Sequence, residues 1–199
     1  MYKRLLLALV LLSPVPAHAQ KAYDGETAPI LPTDPDTHLV AYTGVVEVAG
    51  ATQAQLYSRA YEWVAKTYKS PQDVIRMQDK ESGKLLVKAA TKAVINGHPL
   101  GYNLYTFSIY LKDGKYKYEF TDFRNEHKTV VVGKSDRYGG DYSMGGFEQE
   151  KPSFQKAGLN ARLQKSWNIL RYNNDLEMNA TIASLEAAMT GKTKDKSDF

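Results

Sequence analysis

Two alternating runs of residues joined by Asp113-Gly114 constrain this chain more than any other feature of its sequence. They occupy residues 102–123, YNLYTFSIYLKDGKYKYEFTDF, and Asp-Gly favours a type I′ hairpin turn, which needs positive φ at both central residues. The predicted apolar face pairs Phe107 with Phe120, Ile109 with Tyr118 and Leu111 with Tyr116. The predicted polar face pairs Thr106 with Thr121, Ser108 with Glu119 and Tyr110 with Lys117. This pattern predicts an α+β protein whose antiparallel sheet is covered by helices on one face.

The first residues have the pattern of a secretory signal peptide. Lys3 and Arg4 precede an apolar run over 5–12, and Ala17-His18-Ala19 is a small-residue cleavage site, so we expect cleavage after Ala19. The apolar run is too short to span a bilayer, and no membrane span is expected after its removal. The sequence therefore predicts a periplasmic or secreted protein.

Composition narrows the possible partners. The chain contains no cysteine, which excludes disulfides and thiol chemistry. Without Lys3 and Arg4, the 26 basic residues become 24 against 22 acidic ones, a net charge of +2. That charge is too small to favour nucleic acid as a partner.

The remaining chain divides into a leader, one domain and a tail. Residues 20–38 contain three prolines and predict a flexible leader, 39–189 predict a single α+β domain, and 190–199 predict a disordered tail. Within the domain, 39–48 reads as a strand. Thr52 and Gln55 form a capping-box pattern for a helix that ends at Tyr68.

Further strands are predicted at 74–79, 85–93 and 127–132. Lys84, Lys88 and Lys92 alternate with apolar residues around the second of these, so they line its outer face. Lysines in such positions protect an edge from strand pairing or form an anion-binding face. We favour edge protection or plain solvation because the net charge is low.

Residues 134–151, KSDRYGGDYSMGGFEQEK, form a glycine-rich insertion in which no helix or strand period is visible. Such a loop clasps a ligand or is disordered, and we favour disorder. Its aromatic residues, together with one tyrosine on the polar face of the hairpin, are the candidate binding residues: Tyr138, Tyr142, Phe147 and Tyr110.

A long helix is predicted over 159–189, with a bend considered near Asn173-Asn174. At 1.5 Å per residue it would be roughly 45 Å long. A helix of that length can extend beyond the sheet and dock on a second copy, which makes a homo-oligomer through this helix one hypothesis.

The predicted elements come in the order strand, helix, several antiparallel strands and long helix. In this order the chain resembles a family of secreted bacterial proteins of unknown function with a fold like that of the TATA-binding protein. The phrases VVEVAGATQAQLYSRAYEWVAKTY, VIRMQDKESGKLL and YLKDGKYKYEFTDF carry the resemblance. It implies a curved antiparallel sheet, in the order β-α-β-β-β-β-β-α, backed by helices. It implies no activity, ligand or cofactor.

No catalytic or metal-binding constellation is visible in the sequence. His38, His98 and His127 lack zinc-ligand spacing, and no serine lies in a GxSxG elbow. We therefore predict no catalytic residues, metal or cofactor. Glu119 and Asp122 differ in parity, so they are expected on opposite faces of their strand.

Three functional hypotheses remain. We favour a non-catalytic envelope module that binds an envelope protein or small ligand through its sheet face or long helix. The alternatives are an envelope hydrolase, with the glycine-rich loop as a lid over Asp122, His127 and Asp141, and a structural homodimer joined by strand edges or by the last helix.

Overall fold

The computed structural model describes residues 23–95, 97–127, 142–152 and 160–191. The side chains of residues 127, 142 and 160 lie outside that description. The elements in chain order are β1 (Tyr42–Glu47), α1 (Gln53–Thr67), α2 (Pro71–Val74), β2 (Ile75–Asp79), β3 (Lys84–Ile95), β4 (His98–Lys112), β5 (Lys115–His127), β6 (Tyr142–Gly146) and α3 (Asn160–Met189). Within this part of the chain, no helix is both long and apolar enough to cross a membrane.

The strands form one antiparallel sheet in the order β1-β5-β4-β3-β2, and β6 pairs with the end of β5. The predicted hairpin register is confirmed: Phe107 lies opposite Phe120, and the pairing continues to Lys112 opposite Lys115. The turn type differs from the prediction: Gly114 has a positive φ of 75° but Asp113 does not, so the two-residue loop is not the type I′ turn, which needs positive φ at both positions.

Helix α1 begins at the predicted capping box. The Thr52 side chain accepts a hydrogen bond from the Gln55 backbone, and the Gln55 side chain accepts one from the Thr52 backbone. After the helix ends, Pro71 opens the single-turn α2, a position where its missing N–H costs nothing. The predicted strand at 74–79 therefore begins one residue later, at Ile75.

Helix α3 runs without interruption from Asn160 to Met189. Asn173-Asn174 does not divide it, and Asn174 is fully buried. At the C-terminal end, Arg59 of α1 donates a hydrogen bond to the Met189 carbonyl oxygen at 2.8 Å, satisfying a carbonyl that has no partner within the helix.

Both long helices cover the same face of the sheet. Trp63 of α1 contacts the Phe107 ring edge-on at 5.7 Å, and its indole N–H donates to Ser184 Oγ of α3. Buried residues from the helices and from the inward side of the strands form a single core. The opposite side of the sheet, called the outer face below, carries no helix within the described residues.

A β-bulge interrupts the hairpin beyond its predicted part. The register shifts between Leu104 and Thr106, so two residues of β5, Asp122 and Phe123, lie opposite one residue of β4. Asp122 takes a φ of 59°, and the inward positions of β5 change from even to odd numbers. The bulge keeps Phe123 in the core.

The glycine-rich insertion contains a strand that the sequence did not predict. Strand β6 pairs residues 142–146 with β5, so the expectation of no strand within 134–151 is wrong for this part. Strand β5 also runs to His127 instead of ending at Phe123, whereas 128–132 of the predicted separate strand lie outside the described residues. Local periodicity failed here because pairing to β5, not the pattern of the short segment, determines the strand.

Residues 23–38, within the predicted flexible leader, pack on the domain. Leu31 is buried, the Tyr23 ring stacks on Tyr172 of α3 at 4.3 Å, and Asn168 Nδ2 donates to the Gly25 carbonyl oxygen at 2.8 Å. The prolines exclude this segment from regular structure but do not prevent it from packing on α3.

Candidate functional site

The outer face is formed by those side chains of β1 to β5 that point away from the core. Its lysines and aromatic residues stand in rows across the strands. One row runs from Lys84 of β3 through Tyr110 and Lys117 to Val45 of β1, and a second places Lys92 opposite Tyr102. Lysine therefore faces tyrosine at both ends of the β3–β4 pair.

Tyr110 lies at the centre of the first row. The Lys84 ammonium lies 5.3 Å from the centroid of its ring, within range of a cation–π interaction. On its other side, Lys117 forms an ion pair with Glu119 of the same strand. Since that pair is exposed, its contribution to stability is small.

A cleft of about 490 Å³ opens beside Tyr110. It lies within the size range of small-ligand sites. The residues that line it are Val45, Tyr110, Lys112, Lys115, Tyr116, Lys117 and Glu119. Three lysines against one glutamate make its rim basic.

Large apolar side chains are exposed on the same face. Val45 is 62% exposed, Tyr102 46%, Val94 43% and Met77 39%. These four are half of the eight exposed large hydrophobic residues among those described. The outer face thus combines exposed apolar residues with lysines.

The four predicted binding residues lie in different environments. Tyr110 is on the outer face beside the cleft. Phe147 is fully buried, and its ring centroid lies 5.3 Å from that of Trp167 of α3. Its side chain is therefore not accessible to a binding partner. Tyr142 pairs with His127 through the β6 backbone, and Tyr138 lies outside the described residues. Sequence reasoning placed aromatic residues near glycines on the surface because it could not see that β6 brings Phe147 inward.

The proposed hydrolase residues have a different geometry from the one expected. Because of the bulge, Asp122 lies on the same side as Thr106, which donates a hydrogen bond to it at 3.1 Å. Asp122 therefore shares the outer face with Glu119, and the expectation of opposite faces is wrong.

A cleft of about 290 Å³ lies beside Asp122 and reaches Ser143 and Glu148. Asp141 and the His127 side chain are outside the description, and no group of three or more potential metal ligands occurs among the described residues.

A polar cluster lies on the helix side of the sheet. The hydroxyl groups of Tyr68 and Tyr105 are 3.0 Å apart. Glu177 of α3 lies near both rings and beside Thr91. Burial raises the pKa of Tyr68 to about 12 and raises the pKa of the Glu177 carboxyl above its ordinary value.

The raised pKa of Glu177 predicts a pH-dependent stability. A carboxyl whose pKa is higher in the folded state stabilises the fold below its unfolded pKa, and this contribution is lost as the pH rises through the folded pKa. Glu177→Gln is therefore expected to raise the free energy of unfolding at pH 8 and to leave it nearly unchanged at pH 4. Urea denaturation at both pH values measures this. A variant no more stable than the wild type at pH 8 would contradict the burial of this carboxyl.

The fold and the outer face together define a class: an α+β protein with a one-sided antiparallel sheet whose free face is basic and partly apolar. Residues 42–126 match the model of a family described as a domain of unknown function (DUF4468) with a TBP-like fold. The match extends from the first residue of β1 to Glu126, one residue before the end of β5, and includes α1 and α2. The family resemblance inferred from the sequence is thereby confirmed.

Two crystal structures are similar to this chain. A TBP-like protein from Parabacteroides distasonis ATCC 8503 is 14% identical with a TM-score of 0.50, over 80% of this chain and 97% of that chain. A DUF4468 family protein from Bacteroides ovatus ATCC 8483 is 16% identical with a TM-score of 0.52, over 82% and 93%. At these identities the likeness establishes the TBP-like α+β fold alone. No curated protein matches the chain.

Proposed function

We propose that this protein is a non-catalytic interaction module of the cell envelope and that it binds an acidic protein partner across its outer face. The observation that carries the proposal is the concentration of exposed large apolar residues on that face. Val94, Met77 and Tyr102 lie on its β2–β3–β4 side, where the lysines of β3 also lie. Apolar surface supplies the driving force for association, and charge supplies specificity and a faster encounter.

The positive charge of the outer face supports an acidic occupant. Lys84, Lys88 and Lys92 follow one another on alternate outward positions of β3, spaced by four residues. At about 3.3 Å per residue, the row is roughly 26 Å long. An extended or helical acidic segment of a protein can span such a row, and its apolar side chains would contact Tyr102 and Val94.

The envelope location rests on the signal-peptide pattern ending at Ala19. Fractionation of cells that express the full chain is expected to yield a mature protein in the periplasm or medium, with Gln20 as its first residue by N-terminal sequencing. A cytoplasmic protein that retains Met1 would overturn this part of the proposal.

The binding surface is tested by charge reversal on β3. The mature protein is used to capture envelope proteins, and the same capture is repeated with the triple variant Lys84→Glu, Lys88→Glu, Lys92→Glu. We expect an acidic protein bound by the wild type, released by salt because exposed charges are screened within about 10 Å at 0.1 M, and lost with the triple variant.

A control variant reverses two lysines on the helix side. Lys66 and Lys69 are exposed near the end of α1, so Lys66→Glu with Lys69→Glu changes the charge without touching the outer face. This control is expected to capture the same protein as the wild type. Equal loss in both variants would indicate a nonspecific charge effect, and retention by the triple variant would exclude the outer face; either result overturns the proposal.

The two alternative functions stay predictions. For the hydrolase, Asp122 is the one member of its proposed set with a described side chain. For a dimer through α3, the inward stripe from Trp167 to Met189 is already buried within one copy, which leaves Leu176 as the exposed large apolar residue of this helix. These observations favour the outer face as the first surface to test.

A further inference from the structure

Strand β1 is the last strand at one edge of the sheet and is unpaired on its outer side within the described residues. We propose that two copies of this chain join through this edge, with the two β1 strands antiparallel, so that their sheets become continuous. The proposal concerns a surface different from the lysine row of β3 and does not depend on the acidic partner.

Backbone hydrogen bonds establish which groups of β1 are free. The Val48 N–H donates to the Gly114 carbonyl oxygen on the β5 side at 2.7 Å, whereas the Ala41 N–H donates to Pro32 on the opposite side at 3.1 Å. Backbone groups alternate in direction along a strand. The N–H and C=O groups of Thr43, Val45 and Glu47 therefore face away from β5, towards the open edge.

The two edges of the sheet differ in how well they are protected from pairing with another strand. The β2 edge contains Arg76 at a register shift and continues along β3 past Lys88 and Lys92. Lysines, bulges and short strands are the usual means of preventing strand pairing. Strand β1, YTGVVE, has no basic residue and no proline, and pairs with β5 in an unbroken register. Strand β1 has six residues against five in β2, so length does not separate the two edges, but the lack of lysine, proline and bulge makes β1 the edge more open to pairing.

Space for the side chains of an added strand exists on both faces beside β1. The cleft of about 490 Å³ on the outer face reaches Val45. A second cleft of about 400 Å³, on the helix side, lies between Tyr42 of β1 and Asp175, Asn179 and Ile182 of α3. Because successive side chains of a strand point to opposite faces, an added strand would direct alternate residues into the two clefts.

The sequence of β1 suits a second copy of itself. An antiparallel pair centred on Val45 sets this residue opposite the second copy's Val45 and sets Thr43 opposite the second copy's Glu47. All of these positions have outward-facing backbone groups, so every opposed pair can exchange two hydrogen bonds. No like charges meet across the pair, and the 62% exposed Val45 becomes covered.

Sedimentation of the mature protein at several concentrations tests the pairing. We expect a monomer at low concentration and a dimer at high concentration. Val45→Lys places two ammonium groups face to face and is expected to raise the dimer dissociation constant by at least about tenfold. Val94→Lys is the matched control, since Val94 is a 43% exposed valine on the outer face of β3; it should leave the dissociation constant unchanged.

Cross-linking of an introduced cysteine in each copy gives a second test of the pairing. The sequence contains no cysteine, so only the introduced thiol groups can react. Opposed residues that share hydrogen bonds are about 5.5 Å apart at Cα, so Val45→Cys is expected to be joined into a dimer by a short bifunctional maleimide, whereas Val94→Cys is not. A monomer at every concentration, a dimer insensitive to Val45→Lys, or equal cross-linking of both cysteine variants would overturn the proposal. None of these outcomes bears on binding of the acidic partner, which is measured separately.

Discussion

Replacing Phe107 with alanine is expected to lower the free energy of unfolding by about 3–5 kcal/mol, the range for a large aromatic residue removed from a core. Phe107 is fully buried, stacks on Phe120 at 5.0 Å and contacts Trp63 of α1. It therefore joins the central hairpin to the helix layer, and its loss leaves a cavity between them. Chemical denaturation of the variant measures the change.

The matched control for this substitution lies on the same hairpin. Tyr110→Ala removes an aromatic ring from the outer face, where the ring is in contact with Lys84 instead of the core. It is expected to cost about 1 kcal/mol or less, as for most surface substitutions. A similar loss for Phe107→Ala and Tyr110→Ala would mean that the two faces of the hairpin have been assigned wrongly.

Phe147→Ala is expected to have an effect of the same size, about 3–5 kcal/mol. Phe147 stacks on Phe123 of β5 at 6.4 Å and meets Trp167 of α3 edge-on, so it connects the end of the sheet to the N-terminal half of α3. The same denaturation experiment applies. If Phe147 were instead a surface recognition residue, the variant would keep its stability and lose a partner, which is the opposite result.

The central hairpin could be predicted because its information is local. Asp113-Gly114 determines the turn, and the alternation on both sides determines which residues face the core. The start of α1 was predictable for the same reason, since Thr52 and Gln55 satisfy one another within one helical turn.

The features that the sequence did not predict depend on contacts between distant segments. The bulge at Asp122 changes the inward parity of β5 so that Phe123 stays buried against Phe147, a residue from a segment with no periodicity of its own. The packing of 23–38 likewise depends on α3, through Tyr172 and Asn168. No local pattern encodes either arrangement.

The sequence predicted which residues point outward on the outer face, but it did not predict how far that face extends. Alternation placed Lys84, Lys88 and Lys92 on an outward face and Tyr110 opposite Lys117. The sequence alone did not reveal that these belong to one continuous surface, because that depends on the pairing of β3 with β4 and of β1 with β5. The exposure of Val45 also follows from its edge position, which is a property of the whole sheet.

The sheet order has a consequence for the way the chain reaches this structure. Strand β1 precedes its neighbour β5 by the whole of α1 and three strands, and Gly25 meets Asn168 across a sequence separation of 143 residues. Contacts of such long range slow folding, because the ends of a long loop must meet before either gains its partner. A chain that emerges with its N-terminus first would therefore leave β1 unpaired until β5 has emerged, and would leave Tyr23 and Gly25 without their contacts until α3 has emerged. Folding of this protein is expected to be a late event that follows synthesis or translocation instead of accompanying it.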